Sequence, residues 1–155
     1  MAKKIEKVNL QEPALPVPGD GPSPVVAAAL ASKGAICVGE VVSRPWGMFE
    51  VLSVGPTFLT KVLTIRPGCR TSYQKHQSRD EGWVVASGAA IATINGLKME
   101  LKTGAVLRVP AGTSHRLAVP EGATAPAIIM EVWTGGTLDE ADIVRLEDDY
   151  GRAKA

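Results

Sequence analysis

Between residues 41 and 135 the apolar residues come in runs of strand length, and each run is cut off by residues that turn a chain. The runs are Phe49–Val54, Phe58–Ile65, Trp83–Ala86, Ala90–Ile94, Leu97–Leu101, Val106–Val109, Arg116–Val119 and Ala127–Val132. Between them stand Pro67-Gly68, Ser87-Gly88, Asn95-Gly96, Gly104, Ala111-Gly112 and Pro120-Glu-Gly122. Such punctuation disfavours long helices and predicts about eight short strands in an all-β sandwich or barrel. Asn95-Gly96 predicts a two-residue hairpin, because the favoured turn needs positive φ at both central residues. Leu97, Met99 and Leu101 alternate with Lys98, Glu100 and Lys102, so that strand has one buried and one wet face.

The flanks read differently. Residues 1–40 form an extension that opens with charge and becomes rich in proline and glycine (Pro13, Pro16, Pro18, Gly19, Gly21, Pro22, Pro24), a composition that favours polyproline and turn conformations. Val25–Ala31 has room for one short helix, and the segment reads equally as a tail or as an arm across a partner subunit. Residues 41–152 form the folded domain. Within it, 136 onward is acidic and then basic, and a short helix or turn packed on the barrel end is expected there.

Composition excludes several functions. Seventeen Lys+Arg against sixteen Asp+Glu leave a net charge of +1, which argues against a broad nucleic-acid surface. Aromatic residues are 5%, too few for a row of base-stacking rings. Cys37 and Cys69 are too few for a disulfide framework and are not spaced as a redox or zinc pair. The longest apolar run near the N-terminus, Val25–Ala31, is too short to span a bilayer. The expected location is the cytoplasm, with no membrane partner.

The two histidines carry the chemistry. Gln74 and His76 are two apart and share one face of a strand. Glu81 follows beyond a turn and returns to that face, and His115 sits on a later strand after Pro110-Ala-Gly112. Two imidazoles, a carboxylate and an amide oxygen suit a borderline divalent ion, so Gln74, His76, Glu81 and His115 are the expected ligands. Zinc is placed first; manganese, cobalt, nickel and iron suit the same donors.

At these residues the chain resembles the cupin superfamily. Gly68, Gln74-x-His76, Glu81 and Gly88 match its first motif, and Gly104, Pro110-Ala-Gly112 and His115 its second; Val119 stands where an Asn commonly closes the second. The resemblance implies a double-stranded β-helix, or jelly-roll barrel, with a metal at its mouth. A narrower resemblance rests on Arg44-Pro-Trp-Gly47, Gln74-x-His76-x-x-Arg79-x-Glu81-x-Trp83, Pro110-Ala-Gly-Thr-x-His-Arg116 and Asp142-Ile-Val-Arg145-x-Glu-Asp-Asp-Tyr-Gly-Arg152. These segments look like type II mannose-6-phosphate isomerase, often the C-terminal part of bifunctional mannose-1-phosphate guanylyltransferases. Two positions depart from that pattern: Gly82 replaces a His and Trp133 a Gln.

The resemblance implies a metal-dependent aldose–ketose isomerase acting on a sugar phosphate, with mannose 6-phosphate and fructose 6-phosphate as the expected pair, and a homodimer. It implies Arg79 as catalytic, a guanidinium able to stabilise an oxyanion or grip a phosphate. Lys61, Arg116, Arg145 and Arg152 are the candidates for binding phosphate, and Glu131 is a candidate at the barrel mouth whose role is open between substrate contact and structure. No guanylyltransferase activity is expected, since no glycine-rich nucleotide loop opens the chain. Gly82 and Trp133 keep two other readings in view: another metal cupin such as an iron dioxygenase, and a sugar-binding cupin without turnover.

Overall fold

The structure, a computed structural model, describes residues 37–136 and 138–153. Among these residues the chain forms β1 (Val41–Arg44), β2 (Gly47–Val54), β3 (Phe58–Ile65), β4 (Tyr73–His76), β5 (Arg79–Ser87), β6 (Ala89–Ile94), β7 (Leu97–Lys102), β8 (Val106–Val109), β9 (His115–Ala118), β10 (Ala127–Gly135) and β11 (Ile143–Glu147), with a 3-10 turn at Glu140–Asp142. The strands make two antiparallel sheets, ordered β1-β2-β3-β10-β5-β8 and β11-β4-β9-β6-β7. From β3 onward the chain keeps crossing between them, which is the jelly roll that the cupin resemblance implies, built from the short strands that the turn punctuation predicts. Most of residues 1–40, read as an extension, lies outside the described residues. No helix among those described is long and apolar enough to cross a membrane.

Alternation decides what fills the space between the sheets. Phe49, Val51, Leu63, Ile65, Val85 and Ile129 point inward from the six-stranded sheet and meet Ala92, Leu101 and Leu117 from the other. Burying each large apolar side chain contributes roughly 1.5–3 kcal/mol. The Asn95-Gly96 hairpin forms as expected: φ is 47° and 83° at the two residues, and Ile94 pairs with Leu97 across the turn.

All eight apolar runs lie within or overlap strands, and three more strands lie outside them. β1 and β4 have only four residues each, β1 half polar and β4 largely so, and hydrophobic pattern alone does not reveal them. The third adds to the short helix or turn expected near the C-terminus: the 3-10 turn forms at Glu140–Asp142, and Ile143-Val-Arg-Leu-Glu then extends and pairs with β4. β-branched Ile143 and Val144 favour this extended pairing.

The Arg44-Pro-Trp-Gly47 segment joins β1 to β2. Trp46 is buried in the core, its carbonyl accepts from the Arg66 amide at 3.0 Å, and the Arg66 guanidinium donates to the Pro45 carbonyl at 2.6 Å. Gly47 adopts φ 152°, and a Cβ there would lie 1.9 Å from the Thr64 carbonyl oxygen. Gly47→Ala should therefore lower stability by about 2 kcal/mol or more, read as a fall in Tm and denaturation midpoint. An unchanged midpoint would show that the β2–β3 backbone can part at little cost.

Candidate functional site

The site lies where the two sheets open. β4 and β9 are neighbours, with Gln74 opposite His115, and His76 points inward from the end of β4. Glu81 reaches the same point from β5 in the facing sheet. His76 Nε2 is 2.8 Å from Glu81 Oε1, His115 Nε2 is 3.4 Å from Glu81 Oε2, and the two imidazole centroids are 4.9 Å apart. One donor atom from each of His76, Glu81 and His115 falls within 4.8 Å of the others, and all three residues are buried. Gln74 stands at the edge, its amide nitrogen 3.5 Å from His76 Nε2 and its Oε1 accepting from the Ser72 hydroxyl at 2.6 Å.

Each imidazole is oriented through its other nitrogen. His76 Nδ1 lies 3.2 Å from the Asp142 carbonyl and His115 Nδ1 lies 2.9 Å from the Thr113 carbonyl. A carbonyl can only accept, so each Nδ1 carries a proton and each Nε2 is the ring nitrogen directed inward at Glu81, where a metal would bind. Glu81 Oε2 and His115 Nε2 are buried with no hydrogen-bond partner. Burial pushes Glu81 up, but the hydrogen bond with His76 and the charges of His115, His76 and Arg79 outweigh it and hold the carboxyl at about 2. Burial lowers His115, against the pull of Glu81. An ionised carboxylate and an unprotonated imidazole are the forms a divalent ion binds, so the donor set fits a metal.

Around this cluster lies a cleft of about 560 Å³, part of it open to solvent. Arg79 is buried beside the histidines: Nη2 is 3.3 Å from His76 Nε2, Nε is 3.4 Å from Glu81 Oε1, and Nη1 donates to the Asp139 carbonyl at 2.6 Å. Its guanidinium carbon lies 3.5 Å from the ring centre of Trp133. Lys61 Nζ lies 3.5 Å from the Trp133 ring centre and 4.2 Å from that of Phe49, and it pairs with Glu140. Burial holds the Lys61 ammonium below the usual lysine range, against the pull of Glu140 and Glu131. Glu131 sits between Lys61 on β3 and Trp83 on β5. Its oxygens accept from the Trp133 indole at 2.7 Å and the Trp83 indole at 3.0 Å.

Of the expected phosphate-binding residues, Lys61, Arg145 and Arg152 line this cleft with Glu131, and Arg116 does not. Alternation explains the correction. His115 and Leu117 point inward, so Arg116 points to the outer face of its sheet, where it donates to the Thr71 carbonyl at 3.1 Å and pairs with Glu147 at 3.2 Å. Arg44 lines the cleft and was missed. Its signal lay in the Arg44-Pro-Trp-Gly47 segment, but a half-polar four-residue strand hides which face it takes. Arg152 is paired with Asp148 at 2.6 Å, while Arg145 Nε is buried without a partner. Burial, then the charge of Arg152, lowers the Arg145 guanidinium. Gly82, by contrast, faces away from the cleft, and a Cβ there would approach only the Val132 carbonyl, at 3.9 Å.

A jelly roll with an imidazole–carboxylate cluster at its open end defines the cupin class of protein. The cupin domain of Schizosaccharomyces pombe Cnp3 shares the fold, with a TM-score of 0.54 at 17% identity over 59% of this chain and 66% of that one. Within that class the chain belongs to the family described as mannose-6-phosphate isomerase C-terminal, which it matches over residues 32–148. Its curated relatives include the alginate biosynthesis protein AlgA of Pseudomonas aeruginosa, 41% identical over 111 residues, and the mannose-1-phosphate guanylyltransferase ManC of Salmonella typhimurium, 40% identical over 111 residues. Each alignment covers 72% of this chain and 23% of the relative, so the chain spans about a quarter of their length.

Burial, then the charge of Glu81, pushes Glu131 up to about 8. The folded state therefore holds this proton more tightly than the unfolded chain. The stabilisation is full below the ordinary glutamate range and is lost as pH rises through about 8. In chelator-treated protein, Glu131→Gln should lose less Tm than the parent between about pH 6 and 9. Parallel curves would place the Glu131 carboxyl in its ordinary range.

Proposed function

We propose that this chain is a metal-dependent aldose–ketose sugar-phosphate isomerase, with mannose 6-phosphate and fructose 6-phosphate as its pair. One observation carries the reading. Glu81 Oε2 and His115 Nε2 are buried and unpartnered in an imidazole–carboxylate cluster, and that cluster faces a cleft rich in arginine. Family membership supplies the choice of sugar.

His76, Glu81 and His115 hold the ion, with Gln74 as the fourth donor once its amide oxygen faces the cluster; Ser72 can donate to or accept from either end of that amide. Zinc is the first expectation, and manganese, cobalt, nickel or iron suits the same donors. When bound, the ion lowers the cost of negative charge on the substrate's adjacent oxygens. Arg145, Arg152 and Arg44 grip the phosphate, and the unpartnered Arg145 Nε supplies a free donor for it. Arg79 stabilises the enediolate oxygen from beside the ligands. Glu131 takes the proton from C2 of the aldose and returns it to C1, while the O2 hydroxyl proton passes to O1, each carboxylate oxygen of Glu131 keeping one lone pair beyond its indole hydrogen bond. A group titrating near the working pH suits that exchange. Trp133, packed under both Lys61 and Arg79, narrows the cleft and keeps a second reading open: a sugar-phosphate-binding cupin without turnover. The cytoplasm is the expected compartment.

Protein purified without chelator should carry about one equivalent of divalent metal per chain and form fructose 6-phosphate from mannose 6-phosphate. His115→Ala should lose the metal. Arg79→Lys should keep it and lose about 10²-fold or more in kcat. Arg145→Ala should raise KM about tenfold with kcat little changed, as removal of a charge-assisted phosphate contact predicts. Metal without turnover would favour the binding protein. Absence of metal even after reconstitution would defeat the metal-dependent isomerase and leave a binding protein on the same frame.

A further inference from the structure

Moving a proton from C2 to C1 is half of an aldose–ketose exchange; a hydroxyl proton must also travel from O2 to O1. Glu131 cannot carry both at once, because it holds the carbon proton until C1 takes it. Arg79 stays charged and releases no proton. Glu81 and the two imidazoles are turned to the metal, and each Nδ1 is committed to a carbonyl. Among the described residues of the cleft, that leaves Lys61 as the buried group able to give and take a proton.

The surroundings of Lys61 suit that task. It points inward from β3, is 2% exposed like His115 and Glu81, and lines the cleft with them. In the β3–β10 register it stands directly opposite Glu131, which also points inward, so their Cβ atoms are about 5 Å apart. Nζ sits 3.5 Å from the Trp133 ring centre and 4.2 Å from that of Phe49, and it pairs with Glu140. An ammonium has three donors, and one carboxylate oxygen with two ring faces leaves it free to donate to a substrate oxygen. Burial lowers its affinity for the proton, against the pull of Glu140 and Glu131 and with the push of Arg79. The neutral amine is thereby easier to reach than in an exposed lysine. The phosphate grip lies elsewhere, since Arg145 comes from β11 in the facing sheet and Arg152 from the segment after it.

We infer that Lys61 is a second catalytic acid–base residue, which carries the hydroxyl proton between O2 and O1; the inference rests on the isomerase reading. As Glu131 removes the proton from C2, that bond's electron pair forms the C1–C2 double bond. The C1 carbonyl π pair takes a proton from the Lys61 ammonium and becomes the O1 hydroxyl of the enediol. The neutral amine then takes the proton from O2 as the C2 carbonyl forms, and the double-bond pair takes the proton of Glu131 at C1. Both residues end as they began, and nothing is oxidised or reduced beyond the two sugar carbons. Glu140 keeps the ammonium in place between turnovers.

Variants of the full, metal-loaded chain test this. Lys61→Arg keeps the positive charge but cannot act as a base. It should bind metal and mannose 6-phosphate as the parent does, by elemental analysis and titration calorimetry, while kcat falls about 10²-fold or more. Lys61→Ala should lose kcat likewise, and added methylamine should restore part of it. Parent-like kcat in Lys61→Arg would overturn the inference and reduce Lys61 to a fixed charge. Weakened sugar-phosphate binding with kcat unchanged would also overturn it and make Lys61 a phosphate contact. If Lys61→Arg fails to fold, the amine decides: no recovery of Lys61→Ala at any methylamine concentration overturns the inference. A metal-loaded parent without turnover would bring down the isomerase reading itself, whereas an active parent beside an active Lys61→Arg brings down this inference alone.

Discussion

A carboxylate buried between two sheets is costly unless its charge is met, and the mouth of this protein is organised around meeting the charge of Glu81. Two imidazoles and a guanidinium converge on it, and each is held from behind by a backbone carbonyl: Asp142 for His76, Thr113 for His115 and Asp139 for Arg79. The pairing within the cluster is incomplete, since Glu81 Oε2 and His115 Nε2 face each other without a hydrogen bond. Unmet buried groups of this kind are rare in folded proteins, and a divalent cation between them would satisfy both. The same electrostatics that would destabilise an empty core favours a bound cation here.

The two departures from the family pattern have different structural meanings. Residue 82 faces away from the cleft, so a glycine there removes nothing from the cluster. Residue 133 lies on the inner face, directly opposite Glu81 in the β10–β5 register. Its indole binds Glu131 and packs against two cations, so this one side chain touches three ionisable residues of the cleft. The fold absorbs it because β10 is a central strand whose inner row runs Ala127, Ile129, Glu131, Trp133, with a neighbouring strand on either side to complete the packing.

Much of the fold was legible because turn chemistry is local: glycine and proline punctuation and one Asn-Gly hairpin reveal strands without knowledge of their partners. The convergence of His76, Glu81 and His115 was legible for a similar reason, since His76 and Glu81 lie close in sequence and the Pro110-Ala-Gly112 turn leads to His115. Legibility failed where a contact is long-range or a strand is polar. Arg116 carried the right charge, but only the direction of its strand shows that it points outward. Arg44 and Glu140 enter the cleft from a short, half-polar strand and a 3-10 turn, neither of which has a hydrophobic period to read. β11 became a strand through its pairing with β4, more than sixty residues away in sequence.

That distance bears on how the cleft comes into being. Asp142 accepts the Gln77 and Ser78 amides with its carboxylate while its carbonyl orients His76, and Asp139 holds Arg79 from the same short segment. Closing so long a loop costs entropy before these contacts form. The elements nearest the cluster, β4 and β9, share a single register pair, whereas the β6–β7 hairpin is zipped along its full length. The mouth is therefore tied together less by backbone pairing than by the side-chain and carbonyl contacts of the 139–147 segment. Competence rests on the 139–147 segment, whose docking turns a packed barrel into an oriented site.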